Sequence, residues 1–212
     1  MTIPPMDIPK LIQEIAILAP PFLLALTVHE FAHAYIAYRL GDPTAQRLGR
    51  LSLNPLKHLD PLGVLAFLIM KIGWAKPVPV DARYFKNPRQ DMIWVSLAGV
   101  SANLALAVAS GLAVRLLIPV ANVLPMAIFW PLIQMIAASV WINVMLAVFN
   151  LIPIPPLDGS QVLSNLLPRN LARVYNKLEP VGFFILLALF YTGVIPKIMR
   201  PLISFAQGLI LG

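Results

Sequence analysis

The stretch Ala25-Leu26-Thr27-Val28-His29-Glu30-Phe31-Ala32-His33-Ala34-Tyr35 sets two imidazoles and a carboxylate inside an apolar run covering about residues 15–38. Crossing about 30 Å of hydrocarbon as a helix takes roughly 20 predominantly apolar residues, so this run is long enough to span a membrane. Residues four apart lie on one helix face, which stacks His29 and His33 one turn apart with Glu30 beside them. Ionisable groups at that depth are costly unless they pair or face a wet cavity. A helix-packing polar cluster or a proton relay would account for their burial but not for their spacing. The spacing is that of two imidazoles gripping one metal while the intervening carboxylate reaches the metal's water.

The surrounding sequence fits that setting. Of the 212 residues 59% are hydrophobic and 12% charged, and the mean hydropathy is +0.80, outside the balance of a soluble domain. Further spans are predicted at residues 92–117, 126–149 and, barely long enough, 180–195, giving about four full spans. The apolar runs 62–72 and 162–167 are too short to cross and read as half-buried helices. The 21 prolines imply broken helices beside a cavity. Short alternation at 49–53 and 76–80 suggests a small β element at the cytosolic interface, the second stretch being restricted to an edge by its prolines. The expected fold is an all-α polytopic membrane protein forming one membrane-embedded domain over 1–212. An amphipathic tail from Lys197 is expected to pack laterally or lie on the outer surface. The N-terminus has no basic n-region or small-residue cleavage site, so the first span is expected to belong to the mature protein.

Charge sets the expected orientation. Arg39, Arg47, Arg50, Lys57, Lys71, Lys76, Arg83, Lys86, Arg89, Arg169, Arg173 and Lys177 fall on one side of the predicted spans, and only Lys10, Arg115, Lys197 and Arg200 on the other. The positive-inside rule then puts segments 39–91 and 168–179 in the cytosol and the N-terminus outside, in a multi-pass protein of the cell membrane. Loop topology and lipid headgroups explain the net charge of +7, and nucleic acid is excluded as a partner. With no cysteine there is no thiol nucleophile and no thiolate site, so a metal must be held by His, Asp or Glu.

A catalytic zinc site takes three protein ligands and keeps one position open. No Glu lies between Glu30 and Glu179, which removes the soluble arrangement with a downstream Glu. Residues 34–38 lack the Gly and third His of the extended motif. The remaining candidates are Asp158, His58, Asp60 and the loop aspartates. Asp158 is favoured: Pro153, Pro155 and Pro156 force non-helical backbone directly after an apolar span, and such backbone at membrane depth is tolerated where it lines a cavity. A competing role for Asp158 is a helix cap paired with Gln161. His58, beside Lys57 and Asp60, is the runner-up ligand and reads more readily as interfacial.

These residues together resemble the site-2 protease family of intramembrane metalloproteases. The likeness rests on His29-Glu30-x-x-His33, Asn150…Pro153…Pro155…Asp158-Gly159, Gly49-Arg50-Leu51-Ser52-Leu53-Asn54-Pro55, Asp60-Pro61-Leu62-Gly63, Gly73-Trp74-Ala75-Lys76-Pro77-Val78-Pro79-Val80 and Leu97-Ala98-Gly99, over about residues 20–165. The chain is similar to the short prokaryotic members that consist of the membrane core without PDZ or CBS domains. One departure is Val100, where the family usually has Pro after the Ala-Gly pair; Asn103 is retained. The resemblance implies one Zn2+ per chain on His29, His33 and Asp158, with Glu30 as catalytic base and membrane proteins with transmembrane segments as substrates. Asn150 is the first candidate to stabilise the oxyanion and Asn103 the second; either amide could equally join two helices. A membrane metal-ion transporter or metal-responsive regulator using the same ligands is the alternative from another class, and a structural scaffold a third. An oligomer is compatible with all three.

Overall fold

The computed structural model describes residues 7–63, 75–121, 123 and 125–212. Its principal helices are α1 (Ile8–Arg39), α2 (Pro88–Leu117), α3 (Met126–Asn150), α4 (Asp158–Leu166), α5 (Arg169–Tyr175), α6 (Glu179–Tyr191) and α7 (Val194–Leu211). Local chemistry sets their ends. Asp7 caps α1 by accepting from the Lys10 amide at 3.2 Å, and Gly41, at φ 108°, turns the chain away after the last turn. At the start of α2, Pro88 needs no amide partner, and Asp91 reaches back to accept from the Asn87 N–H at 2.9 Å.

Helices α1, α2 and α3 pack on one another, and α7 lies against α3 and α2. Their shared interior is small or polar: Ala25, Ala34, Ala107, Val140, Ala147, Asn103, Asn143, Ser110 and Ser139 are all buried. Large apolar side chains such as Leu18, Trp94, Leu112, Leu116 and Trp130 face outward. Lipid tails are as apolar as leucine, so association in a bilayer depends on close backbone approach and interhelical hydrogen bonds. The distribution is that of a polytopic membrane protein.

Among the described residues, five helical stretches are long and apolar enough to cross a membrane: Ile8–Arg39, Pro88–Val120, Met126–Asn150, Arg169–Tyr191 and Val194–Leu211. The last is additional to the four expected. α7 begins at Val194, ahead of the Lys197 expected for the tail, and packs along the side of the bundle against α3 and α2. Ile195 and Met199 pack with Leu157 and Leu186 near the C-terminal end of α3, while Ile210 reaches Gly111 and Gly212 reaches Arg115 at the C-terminal end of α2. Of the two short helices, 162–167 largely coincides with the second half of α4, which begins earlier, at Asp158, and ends at Leu166; most of 62–72 lies outside the described residues.

The small β element is not seen among the described residues, where pairing is confined to an isolated antiparallel bridge, Leu59 with Ala75. Pro77 and Pro79 have no N–H to give a ladder. The buried Arg50 guanidinium donates to the Lys76 and Pro77 carbonyls at 2.6 and 3.4 Å, which removes those acceptors.

Candidate metal centre

Two elements separated by more than half the chain meet at one point. His29 and His33 project from the same face of α1, and Asp158 is the first residue of α4, just beyond the proline-rich turn. Asp158 Oδ2 lies 3.2 Å from His29 Nε2 and 3.3 Å from His33 Nε2, and the two Nε2 atoms are 3.0 Å apart. The capping role weighed for Asp158 is not observed, since α4 has no side-chain cap. Its Oδ2 is buried and meets hydrogen-bond geometry with neither imidazole, close as they are.

The far side of each ring explains why these three atoms need a cation. His33 Nδ1 faces the Val95 carbonyl at 2.7 Å. A carbonyl only accepts, so His33 carries its proton on Nδ1. His29 Nδ1 donates to Asn103 Oδ1 at 2.6 Å. In its neutral form each ring, with its proton held on Nδ1, turns the lone pair of Nε2 toward the other and toward a carboxylate oxygen. Three acceptors converge with no donor among them. A tetrahedral site with bonds of about 2.0 Å separates its ligand atoms by about 3.3 Å, so this donor set fits a zinc ion. Among the described residues these are the residues grouped to hold a metal.

The surroundings make room for it. A Cβ on Gly99 of α2 would stand 2.5 Å from His33 Nε2 and 2.6 Å from His29 Cε1, so glycine is required where α2 passes the imidazoles. Glu30 is buried beside them, and its Oε2 accepts from the Val78 N–H at 2.9 Å. Val78 is the sole amide donor of the Pro77-Val78-Pro79 run.

The other candidate ligands are committed elsewhere. His58 is fully buried, with Nε2 donating to Ser52 O at 2.8 Å, and its carbonyl accepts from the Lys76 N–H at 2.9 Å. It thus braces the loop that carries Val78. Asp60 accepts from the Leu62 N–H at 2.9 Å, and Asp42 from the Thr44 and Asp81 amides at 2.9 and 2.7 Å. Asp81 pairs with Arg83, whose hydrogen bonds hold its carboxyl below the usual range. Asn103 sits behind His29, and both its amide hydrogens are used, toward Ala25 O at 3.2 Å and Asn143 Oδ1 at 2.8 Å. That leaves it none for an oxyanion. Asn150 donates to Leu146 O at 3.0 Å, spending one of its two. Sequence reasoning named Gly99 and Val78 only within motifs of the resemblance, without a role at the centre, and did not single out Asn143. A lone Asn in the apolar run of α3 was the available signal for the last.

Apolar helices enclosing paired imidazoles, a glutamate and an aspartate from a distant part of the chain fit a membrane metalloprotease. Comparison with known proteins agrees. The model of "Peptidase family M50" matches residues 117–190, which include Asp158. The protein named "Putative zinc metalloprotease YwhC" of Bacillus subtilis is 38% identical over 89% of this chain and 86% of its own length. Two mycobacterial proteins named "Putative zinc metalloprotease Rip2" are similar: that of Mycolicibacterium smegmatis is 35% identical over 81% of this chain and 65% of its own. That of Mycobacterium tuberculosis H37Rv is 33% identical over 80% and 64%. No solved structure matches. The chain belongs to peptidase family M50, the site-2 protease family, and is a zinc metalloendopeptidase of that family.

Proposed function

We propose that the protein cleaves transmembrane segments of membrane-protein substrates within or at the edge of the bilayer, as one membrane-embedded domain over residues 1–212 with His29, His33 and Asp158 as zinc ligands and Glu30 as catalytic base. The observation that carries this reading is the convergence of three lone-pair atoms inside apolar helices, with a carboxylate next to them. Zinc bound there supplies a Lewis acid that polarises a carbonyl and acidifies water. Glu30 takes a proton from the attacking water and delivers it to the departing amine nitrogen. The Val78 N–H holds one Glu30 oxygen and thereby orients the other. Asn150, at the end of α3 from which the Asp158 turn departs, gives its second N–H to the developing oxyanion.

A helical substrate keeps every carbonyl bonded and must unwind before attack. The unwound strand pairs, in the manner of strand addition, with backbone of residues 50–54 or 77–80 other than the Pro77 carbonyl and the Val78 N–H, which Arg50 and Glu30 already engage. The basic segments 39–91 and 168–179 face the cytosol from the cell membrane. Glu30→Gln tests the assignment: cleavage of a membrane-segment substrate is expected to fall by about 10²–10⁴-fold, with zinc content unchanged. Retained cleavage would show that another group is the base, and metal flux without proteolysis would favour a transporter.

A further inference from the structure

Behind His29 a chain of buried side chains runs away from the metal centre into the bundle. Asn103 Oδ1 accepts from His29 Nδ1, and Asn103 Nδ2 donates to Ala25 O and to Asn143 Oδ1. Asn143 Nδ2 donates in turn to Ser139 O at 2.8 Å and Ser139 Oγ at 3.1 Å. The Ser139 hydroxyl meets that of Ser110 at 2.9 Å. Asn103 and Asn143 are both completely buried, so no water competes for their amides.

The direction of this chain is set at two points. Ala25 O and Ser139 O are backbone carbonyls and only accept. Reversing the Asn103 amide would turn its oxygen toward Ala25 O and Asn143 Oδ1, acceptor against acceptors. Reversing Asn143 as well would relieve the contact between the two amides, but would set its oxygen against Ser139 O at 2.8 Å. In a dry interior each such clash leaves buried polar groups unsatisfied, which is costly. One orientation remains. It presents an acceptor to His29 Nδ1, which keeps the ring's proton there and the Nε2 lone pair toward the metal. A reversed Asn103 would donate to Nδ1 and drive the proton onto Nε2, where it blocks coordination.

We infer that Asn143, which touches neither zinc nor substrate, is a positioning residue that locks the zinc-competent tautomer of His29 through Asn103. This rests on His29 being a zinc ligand, as proposed above, and it adds a determinant on a third helix, forty residues from Asn103. Partners behind metal-bound imidazoles typically govern affinity by about 10- to 100-fold.

The test is zinc affinity of the full-length, detergent-solubilised protein by competition with a chromogenic chelator, which needs no substrate. Asn143→Leu is expected to weaken zinc binding by about tenfold or more, while the melting temperature of the metal-free protein reports on folding. Asn103→Leu should weaken it at least as much, and adding Asn143→Leu to Asn103→Leu should cost little more, because the effect passes through Asn103. Ser139→Ala keeps the carbonyl that sets the direction and should bind zinc within about twofold of wild type, on the usual scale for an intact partner shell. Should Asn143→Leu not fold, Asn143→Ser, too short to reach Asn103, gives the same comparison. Wild-type affinity in the Asn143 variants, or full additivity in the double variant, overturns the inference. If His29→Ala binds zinc as wild type does, the ligand assignment fails instead, so the two failures are distinguishable.

Discussion

At the scale of single residues, the centre depends on what is missing as much as on what is present. The space for zinc exists because residue 99 has no side chain: α2 passes so near His29 and His33 that any Cβ would enter the ring volume. Gly99→Ala is therefore expected to leave the helices formed but weaken zinc binding. Overpacking costs about 1–3 kcal/mol, or about 5- to 150-fold in affinity if it falls wholly on the bound state. Zinc titration alongside circular dichroism would check this, and wild-type affinity with unchanged helicity would refute it. Asp158 makes the complementary point. A buried carboxylate oxygen with no hydrogen bond is rare in folded proteins, and here its neighbours are two imidazoles whose protons point away.

At the scale of elements, the second half of the site is carried by a proline-rich turn, which other elements must hold in place. Pro155 in that turn is buried against Gly182 of α6, where a Cβ would collide with the Pro155 carbonyl. Gly182→Ala should push α6 off the turn and displace Asp158 without altering any ligand. Weaker zinc binding, by a few-fold to tenfold or so on the overpacking scale, is the expected result, read by the same chelator competition. Gly208→Ala on α7 meets nothing within 4 Å and should be silent; an equal effect at both positions would point to general helix destabilisation. The loop before α2 is held comparably. Arg50 fixes the Lys76 and Pro77 carbonyls, and His58 fixes the Lys76 amide, so Val78 meets Glu30 from a braced backbone.

At the scale of the molecule, α7 changes the expected path of the chain. Its first turns lie by Leu157 and its last by Gly111 and Arg115, so it runs the length of the bundle parallel to α2. Because α6, at 13 residues, is too short to cross alone and α7 starts beside Leu157, α6 and α7 together should account for one crossing, which leaves residue 211 on the side of the membrane opposite the basic loops. A chain without cysteine is a clean background for measuring this. Lys57→Cys and Arg173→Cys are expected to react with a membrane-impermeant maleimide from the cytosolic side, and Val123→Cys and Leu211→Cys from the other. Labelling of Leu211→Cys together with Lys57→Cys would contradict the traverse.

The amino-acid order alone determined the class of fold and most of the candidate centre. Apolar runs of spanning length, an i to i+4 pair of imidazoles around Glu30 and a proline-forced turn before Asp158 are local patterns, and local patterns survive without coordinates. The candidates for a third ligand could only be ranked, because proximity between residues 33 and 158 is a property of packing. Only the tertiary structure brought Asp158 to the imidazoles, set His58 aside as a loop brace and turned Asn103 from an oxyanion candidate into a support for His29. It also replaced the β element with a loop held by Arg50, since prolines and a guanidinium had removed the groups a ladder needs. The hydrogen-bond direction that runs from Ser139 O through Asn143 to His29 lies beyond sequence for the same reason: it is decided by which acceptors three separate helices bring face to face.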